Sequence, residues 1–243
     1  MSQTQPDRLI PTNMPDTSVL LNRIRGGLIV SCQAELGEPL FGSEHMAAMA
    51  RAAALGGAVG IRANTPLDIR SIKQQVDLPI IGIYKIDTPG FAVRVTPTLL
   101  SAIQVAQAGA DIIAIDATDR PHPDGLGLEE RVQAIHHDTS CLVMADISTF
   151  EEGVVARQAG ADLVATTLSG YTAYSLVQDG PDFALLERLA KSLSIPVVAE
   201  GRIATPAQAA RALELGAWAV VVGSAITRPR WITEQYVNRI QHK

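Results

Sequence analysis

Lys85 ends the apolar run Pro79-Ile80-Ile81-Gly82-Ile83-Tyr84-Lys85, and Glu200 ends Pro196-Val197-Val198-Ala199-Glu200. An amine at the end of a buried strand is partly desolvated, which favours its neutral form and makes it a usable base or nucleophile. The competing reading of Lys85 is a lysine that lays its stem on apolar surface and extends its ammonium into water. Glu200 is either an acid/base partner or the counter-charge of an Arg or Lys. Asp146, closing Leu142-Val143-Met144-Ala145-Asp146, poses the same choice. Arg62, closing Val59-Gly60-Ile61-Arg62, either holds a substrate oxygen or bridges to Asp146 or Glu200. Two segments address an anion: Glu200-Gly201-Arg202-Ile203, and Val222-Gly223-Ser224-Ala225 with Arg228 beyond it. Glycines there let backbone N–H groups close on a ligand, and a following helix start adds its positive end. Arg228 can add a charge-assisted contact. The plainer alternative is a pair of ordinary turn glycines.

Such residues need elements to aim them, and a recurring phrase supplies these. Leu55-Gly56-Gly57-Ala58, Ala108-Gly109-Ala110-Asp111, Ala159-Gly160-Ala161-Asp162 and Leu215-Gly216-Ala217-Trp218 each end an Ala-rich stretch and open an apolar run. The pattern reads as a helix stopped by a left-handed glycine and followed by a buried strand. The glycines at 56, 109, 160 and 216 are 53, 51 and 56 residues apart. A strand, a helix and two short loops take roughly 25 residues, so each period holds two β-α units and four periods make eight. The strands fall near Gly27–Gln33, Ala58–Arg62, Ile80–Lys85, Ile112–Asp116, Leu142–Asp146, Leu163–Thr167, Val197–Glu200 and Ala219–Gly223. Helical composition fills His45–Leu55, Leu99–Ala108, Phe150–Ala159, Phe183–Lys191 and Pro206–Leu215, with Thr96-Pro97 and Thr205-Pro206 as cap pairs. Strands that are apolar along their length suit a covered parallel sheet. Eight units with no linker predict a single (β/α)8 TIM barrel over residues 17–243, after a loose, proline-bearing tail over 1–16. A short helix near Thr17 would place Leu20, Leu21 and Ile24 on one face.

The working face of such a barrel is at the C-terminal strand ends. Those ends read Gln33, Arg62, Lys85, Asp116, Asp146, Thr166/Thr167, Glu200 and Gly223-Ser224. A polar or ionisable residue closing nearly every apolar run predicts an enzyme. Phosphate sites of this fold lie after strands seven and eight, where Gly201 and Gly223 stand.

Composition narrows the partners. The chain has 243 residues, 47% hydrophobic and 19% charged, with a net charge of −5 and 4% aromatics. That balance argues against a nucleic-acid partner, which wants a basic face and stacking rings. No run approaches the ~20 apolar residues of a membrane span, and no secretory signal opens the chain. Cys32 and Cys141, both beside apolar runs, fit buried free thiols in a reducing cytoplasm. His45, His122, His136, His137 and His242 show no metal-ligand spacing, and no redox-cofactor motif is present. Glu129-Glu130-Arg131 reads as a solvated helix face, and His136-His137 as a helix surface or end. The polar stretch Asp119–Gly125 is long enough to cover a barrel mouth.

Together, several runs resemble the N-acetylmannosamine-6-phosphate 2-epimerases of bacterial sialic acid catabolism. They are Leu28–Ala34, Gly60–Asn64, Ile81–Lys85 with Thr96-Pro97-Thr98, Asp116–Pro121, Met144–Ser148 and Val198–Ile203. The resemblance spans about Leu28 to Thr227. This chain departs from it at Tyr84, where an aliphatic residue is usual, and at Ile86, where a basic one is. The resemblance implies interconversion of N-acetylmannosamine 6-phosphate and N-acetylglucosamine 6-phosphate, with no cofactor. It assigns the proton chemistry to Lys85 and Glu200, the sugar contacts to Gln33, Arg62 and Asp146, and the phosphate to Gly201, Arg202, Gly223, Ser224 and Arg228. The expected partner is a small sugar phosphate; self-association is left open. From the residues alone, a Schiff-base aldolase on a phosphorylated sugar and a non-catalytic sugar-phosphate sensor remain competing readings.

Overall fold

The computed structural model describes residues 17–241, so the tail expected over 1–16 lies outside the described residues. Eight strands are all parallel and hydrogen-bonded in sequence order. They are β1 (Leu28–Cys32), β2 (Gly60–Asn64), β3 (Ile80–Ile83), β4 (Ile112–Asp116), β5 (Leu142–Asp146), β6 (Leu163–Ala165), β7 (Val197–Glu200) and β8 (Ala219–Val222). β8 returns to pair with β1, which closes the barrel. Helices α1 (Thr17–Ile24), α2 (Ser43–Leu55), α3 (Pro66–Lys73), α4 (Leu99–Gln107) and α5 (Leu128–Asp138) precede α6 (Phe150–Gln158), α7 (Phe183–Ser192) and α8 (Pro206–Glu214). A single turn α9 (Ser224–Thr227) and the helix α10 (Pro229–Gln241) finish the described chain.

Side chains alternate faces along a strand, and here both faces are buried. Ile29, Ile81, Ile83, Ile112, Ala114, Leu142, Met144, Leu163, Ala165, Val198, Ala219 and Val221 pack together inside the barrel. Their odd-step neighbours, among them Val30, Ile61, Ile80, Ile113 and Val143, pack outward under the helices. One step further along the inward parity come Arg62, Lys85, Asp116, Asp146, Thr167, Glu200 and Gly223. The polar layer therefore rests directly on the apolar filling. At the opposite end α1 closes the barrel: Ile24 is fully buried, and Leu20 and Leu21 pack on the interior cluster. Trp218 Nε1 donates to the Leu21 carbonyl at 2.9 Å and fixes that plug.

The strand boundaries expected for β4, β5 and β7 coincide with those observed. β2 starts and ends two residues later than expected, so Arg62 lies mid-strand, deeper in the barrel than a strand end. β6 stops at Ala165 because the Thr166 hydroxyl takes over its role in the ladder. That hydroxyl donates to the Glu200 carbonyl (2.9 Å) and accepts from the Glu200 N–H (3.1 Å). Gly109, Gly160 and Gly216 have φ between 92 and 102°, the left-handed helix stops expected from the repeated phrase; in its first copy Gly57 (φ 92°) takes that place, while Gly56 stays right-handed at −77°.

Three expectations are corrected. The Thr96-Pro97 helix start gives way to Thr98, which caps α4 in a capping box with Ser101. Thr96 is occupied elsewhere, with its hydroxyl accepting from Tyr84 N–H at 3.2 Å and φ at 45°. Arg131 is fully buried instead of solvated, because its guanidinium pairs with Asp124 at 2.6 Å and donates to the Leu126 carbonyl. The stretch 119–125 keeps to the rim, where Arg120 lines the mouth, and is pinned rather than free to close as a lid. His122 contacts the carbonyls of Pro97 and Asp116, and Asp124 accepts from the α4 N–H of Leu99 at 2.8 Å.

Candidate active site

A cavity of about 1030 Å³ opens at the C-terminal ends of the strands. Gln33, Arg62, Lys85, Glu200, Gly201, Arg202, Gly223, Ser224 and Arg228 all line it. Asp146 lies just beneath, fully buried, and reaches the cavity through Arg62.

Arg62 is the hub. Its two terminal nitrogens form a fork on Asp146, at 3.1 and 2.5 Å, and Nη1 also donates to Glu200 Oε2 at 2.6 Å. Planar two-point pairing of this kind fixes orientation as well as charge. The bridge alternative for Arg62 is thus present, and it uses both carboxylates. Thr167 adds a hydroxyl, donating to Asp146 Oδ1 at 2.7 Å. One positive charge serves two acids here. Glu200 is the one left short: burial, reinforced by the Asp146 charge, pushes its carboxyl up to about 7, while Arg62 and Thr167 pull it back.

Lys85 stands two residues past β3 on a braced backbone. Its N–H donates to Asn64 Oδ1 at 2.9 Å, and it pairs antiparallel with Val95. Burial holds its amine below the usual lysine range; Glu35 opposes that, and Arg62, Arg94 and Arg228 add to it. A base and an acid pushed toward neutrality from opposite sides of the scale share one cavity, an arrangement suited to moving a proton at ordinary pH.

At the other end of the cavity, Gly201 has φ at 108° and Arg202 follows at 54°, a left-handed pair uncommon outside glycine. The Arg202 guanidinium is committed to the protein, donating to the carbonyls of Gly180 (2.7 Å) and Ser169 (2.6 Å). Arg228 lines the same cavity and carries no ion pair among the described residues. Gln33, also in the lining, donates to the Ser31 hydroxyl at 2.9 Å.

Several lining residues carried no role in the sequence reading. Arg120 donates to Asp116 Oδ2 at 2.6 Å, on a carboxylate already held by Thr118. Tyr171, Gln208 and Trp231 form the outer wall. Asn64 stood in the quoted run Gly60–Asn64, so its position was visible though its bracing role was not. Among the described residues, no group of three or more His, Cys, Asp or Glu is placed to hold a metal ion. None of the described helices is long and apolar enough to cross a membrane.

Comparison with known proteins points one way. The family model described as "Putative N-acetylmannosamine-6-phosphate epimerase" matches residues 46–242. A "Putative N-acetylmannosamine-6-phosphate 2-epimerase" of Caldanaerobacter subterraneus subsp. tengcongensis is 52% identical over 225 residues, covering 92% of this chain and 95% of the relative. A relative of the same name from Clostridioides difficile is 47% identical over 222 residues, covering 91% of this chain and 99% of its own. The solved N-acetylmannosamine-6-phosphate 2-epimerase of Clostridium perfringens superposes with a TM-score of 0.88 at 47% identity, covering 90% of this chain and 95% of that one. With matches of this depth running through the strands that build the cavity, the chain belongs to the N-acetylmannosamine-6-phosphate 2-epimerase family.

Proposed function

We propose that this chain interconverts N-acetylmannosamine 6-phosphate and N-acetylglucosamine 6-phosphate by moving the proton on C2 of the open-chain sugar. The observation that carries this reading is the pairing, in one cavity, of the Lys85 amine held below its usual range with the Glu200 carboxyl held at about 7. C2 is acidic only when C1 is an aldehyde, so the ring opens first. Loss of the C2 proton then leaves an enolate, and return of a proton on the other face completes inversion. Lys85 as an amine takes a proton; as an ammonium it stabilises the charge on O1. Glu200, poised at about 7, serves the opposite face or ring opening.

Arg62 and Asp146 hold that carboxyl in place and offer N–H and oxygen contacts to the sugar, with Gln33 beside them. The phosphate lies against the backbone of Gly201, Arg202, Gly223 and Ser224, with Arg228 as its charged contact. Because the Arg202 guanidinium is engaged with two carbonyls, its share is the backbone N–H and the shape of the loop. Clamping the phosphate keeps C2 of a flexible open chain within ~3–3.5 Å of the reacting group. Cys32 and Cys141, pushed up to about 12 and about 11 by burial, are inert thiols that suit a cytoplasmic enzyme.

Proton NMR of N-acetylmannosamine 6-phosphate in deuterated water tests the proposal. Wild type deuterates C2 as product forms, and Lys85→Ala loses at least ~100-fold in both. A Lys85→Ala protein that exchanged C2 at the wild-type rate would overturn it, as would a borohydride-trapped adduct on Lys85, which signals an aldolase.

A further inference from the structure

Glu35 lies on the loop after β1, outside the apolar run that precedes it, and lines the same cavity as Lys85. Its Oε1 stands 3.6 Å from Lys85 Nζ and 3.9 Å from Arg94 Nη1. Arg94 is held from its other side by Asp87. A chain of alternating charges, Lys85, Glu35, Arg94 and Asp87, therefore runs outward along one rim of the mouth. Lys85 is a quarter exposed and Glu35 about half, so this pair spans the boundary between the buried site and water. We propose that Glu35 is a positioning residue for the reaction: its carboxylate anchors the Lys85 side chain toward the rim and biases it to the ammonium form. The inference rests on the role given to Lys85 above and adds to it.

The charged groups facing Lys85 come from four places in the fold. Glu35 comes from the β1 loop, Arg62 from β2, Arg94 from the segment after β3, and Arg228 from beyond α9. Three are cations, which together with burial favour the free amine. Glu35 is the carboxylate that opposes them. Sequence position alone hides this residue, since it belongs to a loop and not to a strand end. Its effect on the reaction has a definite sign. Removing its charge makes the neutral amine more accessible, so the Lys85 titration moves to lower pH. That direction holds whether Lys85 works as base or as ammonium; only the limb of the pH profile that moves differs. The size follows from a half-exposed pair, roughly half a pH unit.

The test reads Lys85 directly. The chain has four lysines, Lys73, Lys85, Lys191 and Lys243. Reductive methylation with 13C-formaldehyde gives few NMR signals, and Lys85→Arg assigns the one of interest. Wild type, Glu35→Gln and Asp87→Asn are titrated in 20 mM and 500 mM salt. In Glu35→Gln the Lys85 midpoint falls by about half a unit at low salt. Asp87→Asn frees Arg94 to draw Glu35 away and moves the midpoint in the same direction. High salt narrows the gap between wild type and Glu35→Gln, because the pair is screened. In parallel, the Lys85-dependent limb of kcat/KM falls by the same amount in Glu35→Gln. A Lys85 midpoint and a kcat/KM limb that stay put in Glu35→Gln overturn the inference while leaving the epimerase reading intact. Absence of C2 exchange in wild type removes that reading, and the role of Glu35 in the reaction with it. Glu38→Gln, on the same loop but paired with Arg230, is the charge-loss control and leaves the midpoint in place.

Discussion

Arg62 has one positive charge and two carboxylates to satisfy, and this shortage sets the chemistry of Glu200. Asp146 takes the fork, so Glu200 shares only Nη1 of the guanidinium, with Thr167 beside it, and its carboxyl is pushed up to about 7. The fold thus favours the protonated acid over the range from its ordinary 4.5 to about 7. Stability from this group is complete below about 4.5 and is lost as pH rises through 7. Glu200→Gln keeps the neutral shape and escapes that loss. Its melting temperature relative to wild type should rise between pH 5 and pH 8, by a gain on the order of 1–3 kcal/mol. Its kcat/KM should fall at least ~100-fold. Thermal melts across that range, with a pH-independent difference between the two proteins, would reject this account of Glu200. Most of this residue set was legible in the sequence, because a polar residue after an apolar run is a one-dimensional signal. The commitment of the Arg202 guanidinium to two carbonyls was not legible, since its partners lie 22 and 33 residues away. The same holds for Arg131, whose place on the helix said nothing of the Asp124 waiting beneath it.

Among the elements, β3 is tightly confined by the helices that cover it. Gly82 points outward, where an added Cβ would meet Val105 Cγ1 at 2.5 Å, Ala110 Cβ at 2.7 Å and Ile69 Cδ1 at 2.9 Å. Helices α3 and α4 can approach this strand only because that side chain is missing. Gly82→Ala must therefore shift β3 or its covering helices, at a cost of ~1–3 kcal/mol. For a chain of this size that lowers the melting temperature by about 2–10 °C. Lys85 follows three residues later, so kcat should fall with it. A Gly82→Ala enzyme with unchanged melting and kcat would show that the strand has room to spare. At this scale the sequence was informative where a single signal dominates. Continuous apolar runs placed β4, β5 and β7, and the repeated glycine phrase placed the helix ends. It misled where side chains compete for one backbone site. The hydroxyls of Thr96 and Thr98 are two residues apart, and only tertiary contact decides that one tethers β3 while the other caps α4. Helix α3 was given no bounds because no Ala-rich stretch marks it, although Thr65-Pro66 offered a cap pair of the kind read at Thr205, and α5 was read only in pieces, at 129–131 and 136–137.

The molecule as a whole is acidic, at −5, yet Arg62, Lys85, Arg94, Arg120, Arg202 and Arg228 line its mouth. Net charge is thus no guide to the ligand; the cations are gathered at one end of the barrel. Most are already paired, and Arg228 is the cation held in reserve. The KM for the phosphorylated sugar should rise as salt increases from 50 to 500 mM, with kcat changing less. Arg228→Ala should raise KM at low salt by roughly 10-fold or more and flatten that dependence. Steady-state kinetics in both salts checks this, and an Arg228→Ala enzyme with the wild-type KM and salt response would contradict it. The same gathering has a bearing on how the chain is made. Asp146 and Glu200 lie 84 and 138 residues downstream of Arg62. On the ribosome the guanidinium emerges long before either counter-charge. A buried arginine without its partners is costly, so the early strands have reason to stay open to water until the later ones arrive. The clamp that orients the acid thereby also times the closure of the barrel, since the buried guanidinium meets its first counter-charge only with β5 and its second only with β7.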